Sequence, residues 1–292
     1  MKINEFLKEL EEYIKTNNFN VFDVAITTHE NKPIVLKIKD IDFLPNSYSV
    51  AKAFAVAACG LLYDEGKLDL EEPITNILRK YINYEYDPIW DSITVHDTLK
   101  HHIGLEGGYL DIDCNDPKTF GDDYLKFTLQ GKFVYKPKVD YTYTDAAYYL
   151  ISRVVFEKSG MDLTDYLNIK LFKELDIKDY KVDKCPYGYS MGATGLYLNS
   201  IDTLKLPYML LNNGCYNEKR ILSEKWMRIL ETNQYENYYF EDSGWYLKGG
   251  MRNQIVMYNK RYDCAISWHS LDSHYSDLRK YVIDHINSKM EY

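Results

Sequence analysis

A hydroxyl and an amine stand three residues apart in the segment SVAK, Ser49–Lys52. Residues i and i+3 share one face of a helix, so the Lys52 side chain would lie beside that of Ser49. A serine hydroxyl becomes an effective nucleophile when a neighbouring group takes its proton. The pattern is weak alone, because a chain of this length contains S-x-x-K about once by chance. A serine that caps a helix and a surface lysine explain it equally well.

The residues that follow favour the catalytic interpretation. Residues 50–63 are almost all apolar and rich in alanine, which predicts a helix buried on several faces. A lysine at the start of such a helix is not expected to be solvated. Ser49, at the N-terminal end, would be exposed to a substrate, and the helix dipole would stabilise negative charge on its oxygen.

Ser49–Lys52 is followed, in order, by LLYDEGKLDLEEPI at 61–74, TVHDTLKHHIGL at 94–105, YTYTDAAYYL at 141–150, GATGLYLNSID at 192–202 and KGG at 248–250. These blocks resemble the serine β-lactamase and penicillin-binding-protein superfamily, most closely the class C branch with its related esterases and D-amino-acid peptidases. The resemblance as a whole spans about residues 20–270. Single blocks are weak, but the ordered set is specific.

The resemblance implies a mechanism without a cofactor. Ser49 would attack a carbonyl carbon, and Lys52 and Tyr143 would move the proton. The N–H groups of Ser49 and Met251 would form the oxyanion hole, and water would hydrolyse the acyl-enzyme. His101 matches a histidine at a helix end that is structural in most members of the family.

Two positions depart from the family's pattern. Asp145 replaces an asparagine, and an ionised carboxylate cannot donate a hydrogen bond. It would instead hold Lys52 protonated. Gly249 replaces a threonine in the K-T-G block. Lys248 would place a positive charge near the substrate, or is an ordinary surface lysine. Gly249 and Gly250 would let the backbone approach the substrate, or form a glycine-rich hairpin turn.

The arrangement of predicted elements indicates an α+β fold of the β-lactamase/transpeptidase type. Predicted helices open and close the chain, at 2–15 and 273–288. Strands are predicted at 21–28 and 33–39, around a turn at 29–32, and again at Ile255–Tyr258 and Tyr262–Trp268. One antiparallel sheet built from both ends of the chain, flanked by the terminal helices, accounts for this pattern.

We therefore expect two lobes with the active site between them. Residues 1–48 and 185–292 would form the sheet lobe, and residues 49–184 a mostly helical lobe.

Two other functions remain open. Gly188–Gly192 reads GYSMG and matches the G-x-S-x-G elbow of α/β-hydrolases, with Ser190 as nucleophile and Asp263 with His269 or His274 as partners. The charged residues before the motif make a poor central strand. The changes at Asp145 and Gly249 also allow a binding or scaffold protein that keeps the fold without the catalysis.

Composition limits the partners. The formal net charge of -9 disfavours nucleic acid, and no apolar run is long enough to span a membrane. No metal-ligand motif occurs, and the five cysteines indicate reduced thiols. The polar N-terminus has no signal-peptide pattern, so we expect a bacterial cytoplasmic protein. We expect a small or peptide-like substrate and an esterase or D-amino-acid peptidase in preference to a true β-lactamase.

Overall fold

A computed structural model describes residues 3–28, 31–272 and 277–289. The helices are α1 (Ile3–Thr16), α2 (Ala51–Asp64), α3 (Ile74–Leu78), α4 (Val95–Leu99), α5 (Tyr124–Leu129), α6 (Asp145–Ser159), α7 (Leu163–Leu167), α8 (Ser200–Leu211), α9 (Glu224–Asn233) and α10 (Asp277–Lys289). The strands are β1 (Val21–Thr28), β2 (Asn31–Lys37), β3 (Lys181–Val182), β4 (Leu196–Tyr197), β5 (Cys215–Tyr216), β6 (Lys219–Arg220), β7 (Tyr238–Phe240), β8 (Trp245–Gly250), β9 (Gln254–Asn259) and β10 (Cys264–Ser270).

Six strands form one antiparallel sheet in the order β2-β1-β10-β9-β8-β7. The predicted strands at both ends of the chain are confirmed, and they meet where β1 pairs with β10. The sequence did not predict β7 and β8. The reason is visible in β8, where Gly249 and Gly250 lower the intrinsic strand propensity. The predicted turn at residues 29–32 includes 29 and 30, which lie outside the described residues. So does the first part of the helix predicted at 273–288.

The sheet and the terminal helices share one hydrophobic core. The chain divides into two compact units, and this core belongs to the first, which comprises the described residues up to Val50, Tyr197–Arg220 and those from Asn237 onward. Side chains alternate between the two faces of a strand, so one face of the sheet can meet the helices. That face and the helices contribute buried residues including Phe6, Leu10, Val24, Ile26, Met257, Ile266, Trp268, Leu278 and Val282.

The second unit comprises Ala51–Leu196 and Ile221–Glu236 and is mostly helical. The buried helix predicted at 50–63 is confirmed as α2, and Cys59 in its middle is buried. Gly60 lets α9 pack closely, because a Cβ atom there would lie 2.4 Å from Trp226 Nε1. Helix α6 begins at Asp145 with a capping bond, in which the Ala147 N–H donates to the Thr144 hydroxyl. Among the described residues, no helix combines the length and apolar character needed to cross a bilayer.

A carboxylate on β1 makes the stability of the sheet depend on pH. Burial raises the pKa of Asp23 to about 6, although a hydrogen bond with Ser200 opposes the shift. The folded state therefore binds a proton more tightly than the unfolded state, and stability falls as pH rises from about 4 through 6. We expect Asp23→Asn to raise the free energy of unfolding by about 2 kcal/mol at pH 8, with no gain at pH 4.

Thermal unfolding at the two pH values measures this effect. The exposed Asp42→Asn is the control and should change neither melting temperature. An equal gain for Asp23→Asn at both pH values would contradict the burial argument.

Candidate active site

Ser49 lies in a 3-10 turn, Tyr48–Val50, that leads directly into α2. Two bonds hold this turn. The Tyr48 N–H donates to Asn46 Oδ1 at 2.8 Å, and the Val50 N–H donates to the Ser47 carbonyl at 3.1 Å. Tyr48 has a φ of 47°, in the left-handed region that is uncommon for a residue with a side chain. Ser49 is therefore presented from a tight, specifically bonded turn.

The end of β8 packs tightly against that turn. A Cβ atom at Gly250 would lie 2.6 Å from the Ser47 carbonyl oxygen and 3.2 Å from the Ser49 backbone nitrogen. Only glycine permits this distance without movement of the backbone. Gly249, one residue earlier, has more room, because its Cβ atom would meet Ile255 Cδ1 at 3.6 Å. The structure thus brings two sequence-predicted residues, Ser49 and Gly250, together.

The turn after β8, Met251–Asn253, is held by side chains outside the predicted site. Arg252 has a φ of 59°, and its carbonyl accepts a bond from Ser270 Oγ at 2.6 Å. Gln254 Nε2 donates to the Ser270 carbonyl at 2.5 Å, and Gln254 Oε1 lies 2.7 Å from His269 Nδ1. These bonds fix the backbone that carries the Met251 N–H.

His269 is neutral in this network. It is fully buried, and burial lowers its pKa to about 3. Its Nε2 lies 3.0 Å from Thr203 Oγ1 of α8, so both ring nitrogens have polar neighbours. The residue supports the end of β10.

Lys248 is not the solvated surface lysine that the sequence allowed. Its side chain is 5% exposed on β8, and its Nζ lies 5.7 Å from the centre of the Tyr238 ring. A cation at this distance from an aromatic face is attracted to the ring. The KGG block forms the end of a strand and not a hairpin turn.

Lys52 is completely buried in α2, with its amine at the centre of a polar cluster. Its Nζ donates to Asp145 Oδ1 at 2.7 Å and to the Ala193 carbonyl at 2.8 Å. It also lies 4.8 Å from the centre of the Tyr143 ring. Three sequence-predicted residues, Lys52, Tyr143 and Asp145, are therefore neighbours in the helical unit.

The charges in this cluster favour the protonated amine. Burial lowers the pKa of Lys52, but the Asp145 carboxylate, together with Tyr143 and Glu236, more than offsets it and raises the pKa above its ordinary value. This is the effect that the sequence predicted for an aspartate at position 145. Lys52 is therefore a buried cation at neutral pH.

Two more carboxylates lie beside Asp145. One carboxylate oxygen from each of Asp111, Asp113 and Asp145 lies within 4.8 Å of the others. The Thr194 hydroxyl donates to Asp113 at 2.5 Å, and burial raises the pKa of Asp113 to about 6. Oxygen clusters of this kind suit hard cations. Here the Lys52 amine already supplies a positive charge, and the sequence predicts no metal.

The structure does not form an α/β-hydrolase elbow at Ser190. The chain after Ser190 runs through bends into β4, with no helix. The Ser190 side chain is buried, donates to Asp162, and lies 2.7 Å from Thr164 Oγ1. The structure contradicts this alternative, which the charged residues before the motif already disfavoured, because the Ser190 hydroxyl is buried and bonded to other side chains. One of its proposed partners, His274, lies outside the described residues.

Comparison with known proteins identifies the family of the chain. The model of the Beta-lactamase family matches residues 41–214, which is more than half of the chain. The chain belongs to the β-lactamase family, a class of proteins that are typically serine hydrolases. The family match covers Ser49–Lys52, Tyr143 and Asp145.

One curated relative is "Putative penicillin-binding protein PbpX" of Bacillus subtilis (strain 168), which is 27% identical over 195 residues. The match covers 59% of this chain and 47% of the relative, so the chain spans about half the length of that protein.

Two solved structures show the same fold. EstCE1, titled a hydrolase with promiscuous acyltransferase activity, has a TM-score of 0.75 at 13% identity, covering 98% of this chain and 97% of that one. A class C β-lactamase variant has a TM-score of 0.73 at 14% identity, covering 99% of this chain and 98% of the other. The fold is the β-lactamase/transpeptidase-like fold predicted from the sequence, with an antiparallel sheet and a helical lobe.

Proposed function

We propose that the protein is a serine hydrolase that forms an acyl-enzyme on Ser49. Ser49 Oγ attacks a substrate carbonyl carbon, and the N–H groups of Ser49 and Met251 bind the resulting oxyanion. The leaving group departs with a proton, and water then releases the acyl group from Ser49. The placement of this site between two lobes stays a prediction of the sequence, as does a cytoplasmic location.

The strongest support for the proposal comes from the surroundings of Lys52. Lys52 is buried and bonded to Asp145 beside Tyr143, in the first turn of the helix that directly follows Ser49. A surface lysine after a serine cap would have none of these contacts. The close approach of Gly250 to the Ser49 N–H supports the oxyanion site independently.

The ion pair with Asp145 and the raised pKa of Lys52 support one assignment of the proton-transfer roles. A lysine held as a cation cannot take the proton from Ser49 at neutral pH. We assign that step to the Tyr143 oxygen, and Lys52 supplies the positive charge that stabilises the phenolate. Tyr143 then passes the proton to the leaving group.

Asp145→Asn tests this assignment through the pH dependence of the reaction. Removing the carboxylate removes the negative charge bonded to Lys52, whose amine lies 4.8 Å from the centre of the Tyr143 ring. It therefore lowers the pKa of whichever group accepts the Ser49 proton. We expect the acid limb of the kcat/KM profile to move to lower pH by about one unit or more.

Asp162→Asn is the matched control, since Asp162 is a carboxylate of the same unit that bonds Ser190 and lies outside the proposed machinery. It should leave the acid limb in place. An unshifted limb in Asp145→Asn would show that Asp145 does not influence the proton acceptor.

The substrate class we propose is an ester or an amide of a D-amino acid, in preference to a β-lactam. The fold relative EstCE1 is a hydrolase with acyltransferase activity, which supports acyl transfer on this fold. Purified protein should be assayed with p-nitrophenyl esters, D-aminoacyl anilides and nitrocefin. Turnover of esters or anilides would support the proposal, and turnover of nitrocefin alone would reject it.

Asp145 also favours a second candidate, a binding protein that keeps the fold. The ion pair with Lys52 leaves no free amine at neutral pH, unlike an asparagine at the same position. A binding protein would retain ligands of the family but would show no turnover and no covalent adduct. The labelling experiment that closes the Discussion separates the two.

A further inference from the structure

His101 and Glu236 form a buried pair in the helical unit, and the His101 ring packs against the Tyr143 ring. The two side chains are 1% and 0% exposed, and His101 Nε2 lies 2.6 Å from Glu236 Oε1. The His101 ring is tilted against the Tyr143 ring with a centroid distance of 4.5 Å. Glu236 belongs to no sequence motif and follows α9 by three residues.

His101 bonds to the backbone on both sides of Tyr143. The Thr142 N–H donates to the His101 carbonyl at 3.1 Å, and the Thr144 N–H donates to His101 Nδ1 at 3.3 Å. Thr144 is also the N-cap of α6, whose first residue is Asp145. A single histidine thus anchors both neighbours of the tyrosine and the start of the helix that carries the partner of Lys52.

These bonds define one protonation state of the ring. Nδ1 must be unprotonated to accept from Thr144, so the hydrogen of a neutral imidazole is on Nε2 and points to Glu236. The other neutral tautomer would place an N–H on Nδ1, facing the Thr144 N–H donor. Nε2 would then present a lone pair to the Glu236 carboxylate, which has no hydrogen to donate, so neither bond would survive.

The backbone at both residues is unusual. His101 has a φ of 57° and Glu236 a φ of 49°, both in the left-handed region that disfavours residues with a Cβ atom. Such conformations persist where the surrounding contacts enforce them. The His101–Glu236 bond is one of those contacts.

We propose that Glu236 is a positioning residue for Tyr143. It holds His101 in the tautomer that anchors the backbone on both sides of the tyrosine. The effect on catalysis rests on the proposed role of Tyr143, but the tautomer does not.

The tautomer is read directly by 15N NMR of the imidazole, with the His101 signals assigned by their loss in His101→Gln. The expected pattern at pH 7 is a neutral ring with hydrogen on Nε2. A ring protonated on Nδ1, or on both nitrogens, would overturn the proposal regardless of any activity.

Variants of Glu236 link the tautomer to catalysis. Glu236→Gln and Glu236→Leu both remove the charge that acts on Lys52, so their comparison isolates the bond to His101. Glu236→Gln keeps a carbonyl oxygen that accepts from Nε2, so it should keep the tautomer and should be acylated about tenfold faster than Glu236→Leu. Glu236→Leu removes the acceptor and should slow acylation by about tenfold or more. The melting temperature of each variant identifies any loss through unfolding.

Tyr235→Phe is the matched control in the same segment. It removes a buried hydroxyl that bonds His96 and leaves His101 untouched. It should preserve both the NMR pattern and the acylation rate. If the wild type is acylated on Ser49 and Glu236→Leu reacts as fast as Glu236→Gln, the positioning role is wrong. If no protein is acylated, the proposed function fails while the NMR result still tests the pair.

Discussion

Lys52→Met should lower the free energy of unfolding by about 3–5 kcal/mol, because it leaves the Asp145 carboxylate buried without its counter-charge. The substitution removes two hydrogen bonds, because the Lys52 amine donates to Asp145 at 2.7 Å and to the Ala193 carbonyl at 2.8 Å. The same change should slow acylation of Ser49 by about 1,000-fold, through loss of the positive charge beside Tyr143. Denaturant unfolding and single-turnover kinetics with an activated ester measure the two effects.

A double variant separates stability from catalysis. Adding Asp145→Asn to Lys52→Met removes the uncompensated charge, so most of the lost stability should return. The acylation rate should not return, because the cation is still missing. Recovery of the rate would show that Lys52 has no chemical role. A stable Lys52→Met single variant would show that the ion pair is not buried as described.

Gly250→Ala should slow acylation by about 100-fold, the effect expected from the loss of one oxyanion donor. The new Cβ atom would lie 2.6 Å from the Ser47 carbonyl oxygen. This is a backbone atom, so a change of side-chain rotamer cannot relieve the contact. Either the Ser49 turn or the end of β8 must move; the first carries one proposed donor, and the second leads directly to the other, the Met251 N–H. A stability loss of about 1–3 kcal/mol should accompany this overpacking.

Gly249→Ala provides the control on the same strand. Its Cβ atom would meet Ile255 Cδ1 at 3.6 Å and the Gln254 carbonyl at 3.8 Å, which are ordinary contacts. Single-turnover rates for this variant should stay close to the wild type. Equal losses of acylation rate in Gly249→Ala and Gly250→Ala would mean that the close approach of Gly250 to Ser49 does not determine the rate.

The sequence predicted the parts of the site that local patterns encode. A serine and a lysine three residues apart at the start of an apolar run predicted Ser49 and Lys52 as site residues, and Lys52 is buried as that pattern implied. The unusual Asp145 sufficed to predict a charged lysine, as the 2.7 Å bond and the raised pKa of Lys52 now show. The roles of these residues in catalysis stay predictions.

The parts that depend on contacts between distant segments could not be predicted in the same way. Glu236 stands in a polar stretch with no periodicity, and only the fold brings it to His101, 135 residues earlier in the chain. Gln254 and Ser270 support the Met251 turn through side-chain bonds to backbone carbonyls, which leave no pattern in the sequence. Strand β8 was not predicted because its glycines, which allow its close approach to Ser49, also lower the intrinsic strand propensity.

The most direct test of the central claim is covalent labelling with a fluorophosphonate followed by peptide mass spectrometry. We predict a single adduct on the peptide that carries Ser49, lost in Ser49→Ala and formed more slowly in Tyr143→Phe. An adduct on another serine, or full labelling of Ser49→Ala, would contradict the account. The absence of any adduct on the folded wild type would reject the acyl-enzyme and would favour the binding protein, whose retention of ligands can then be measured.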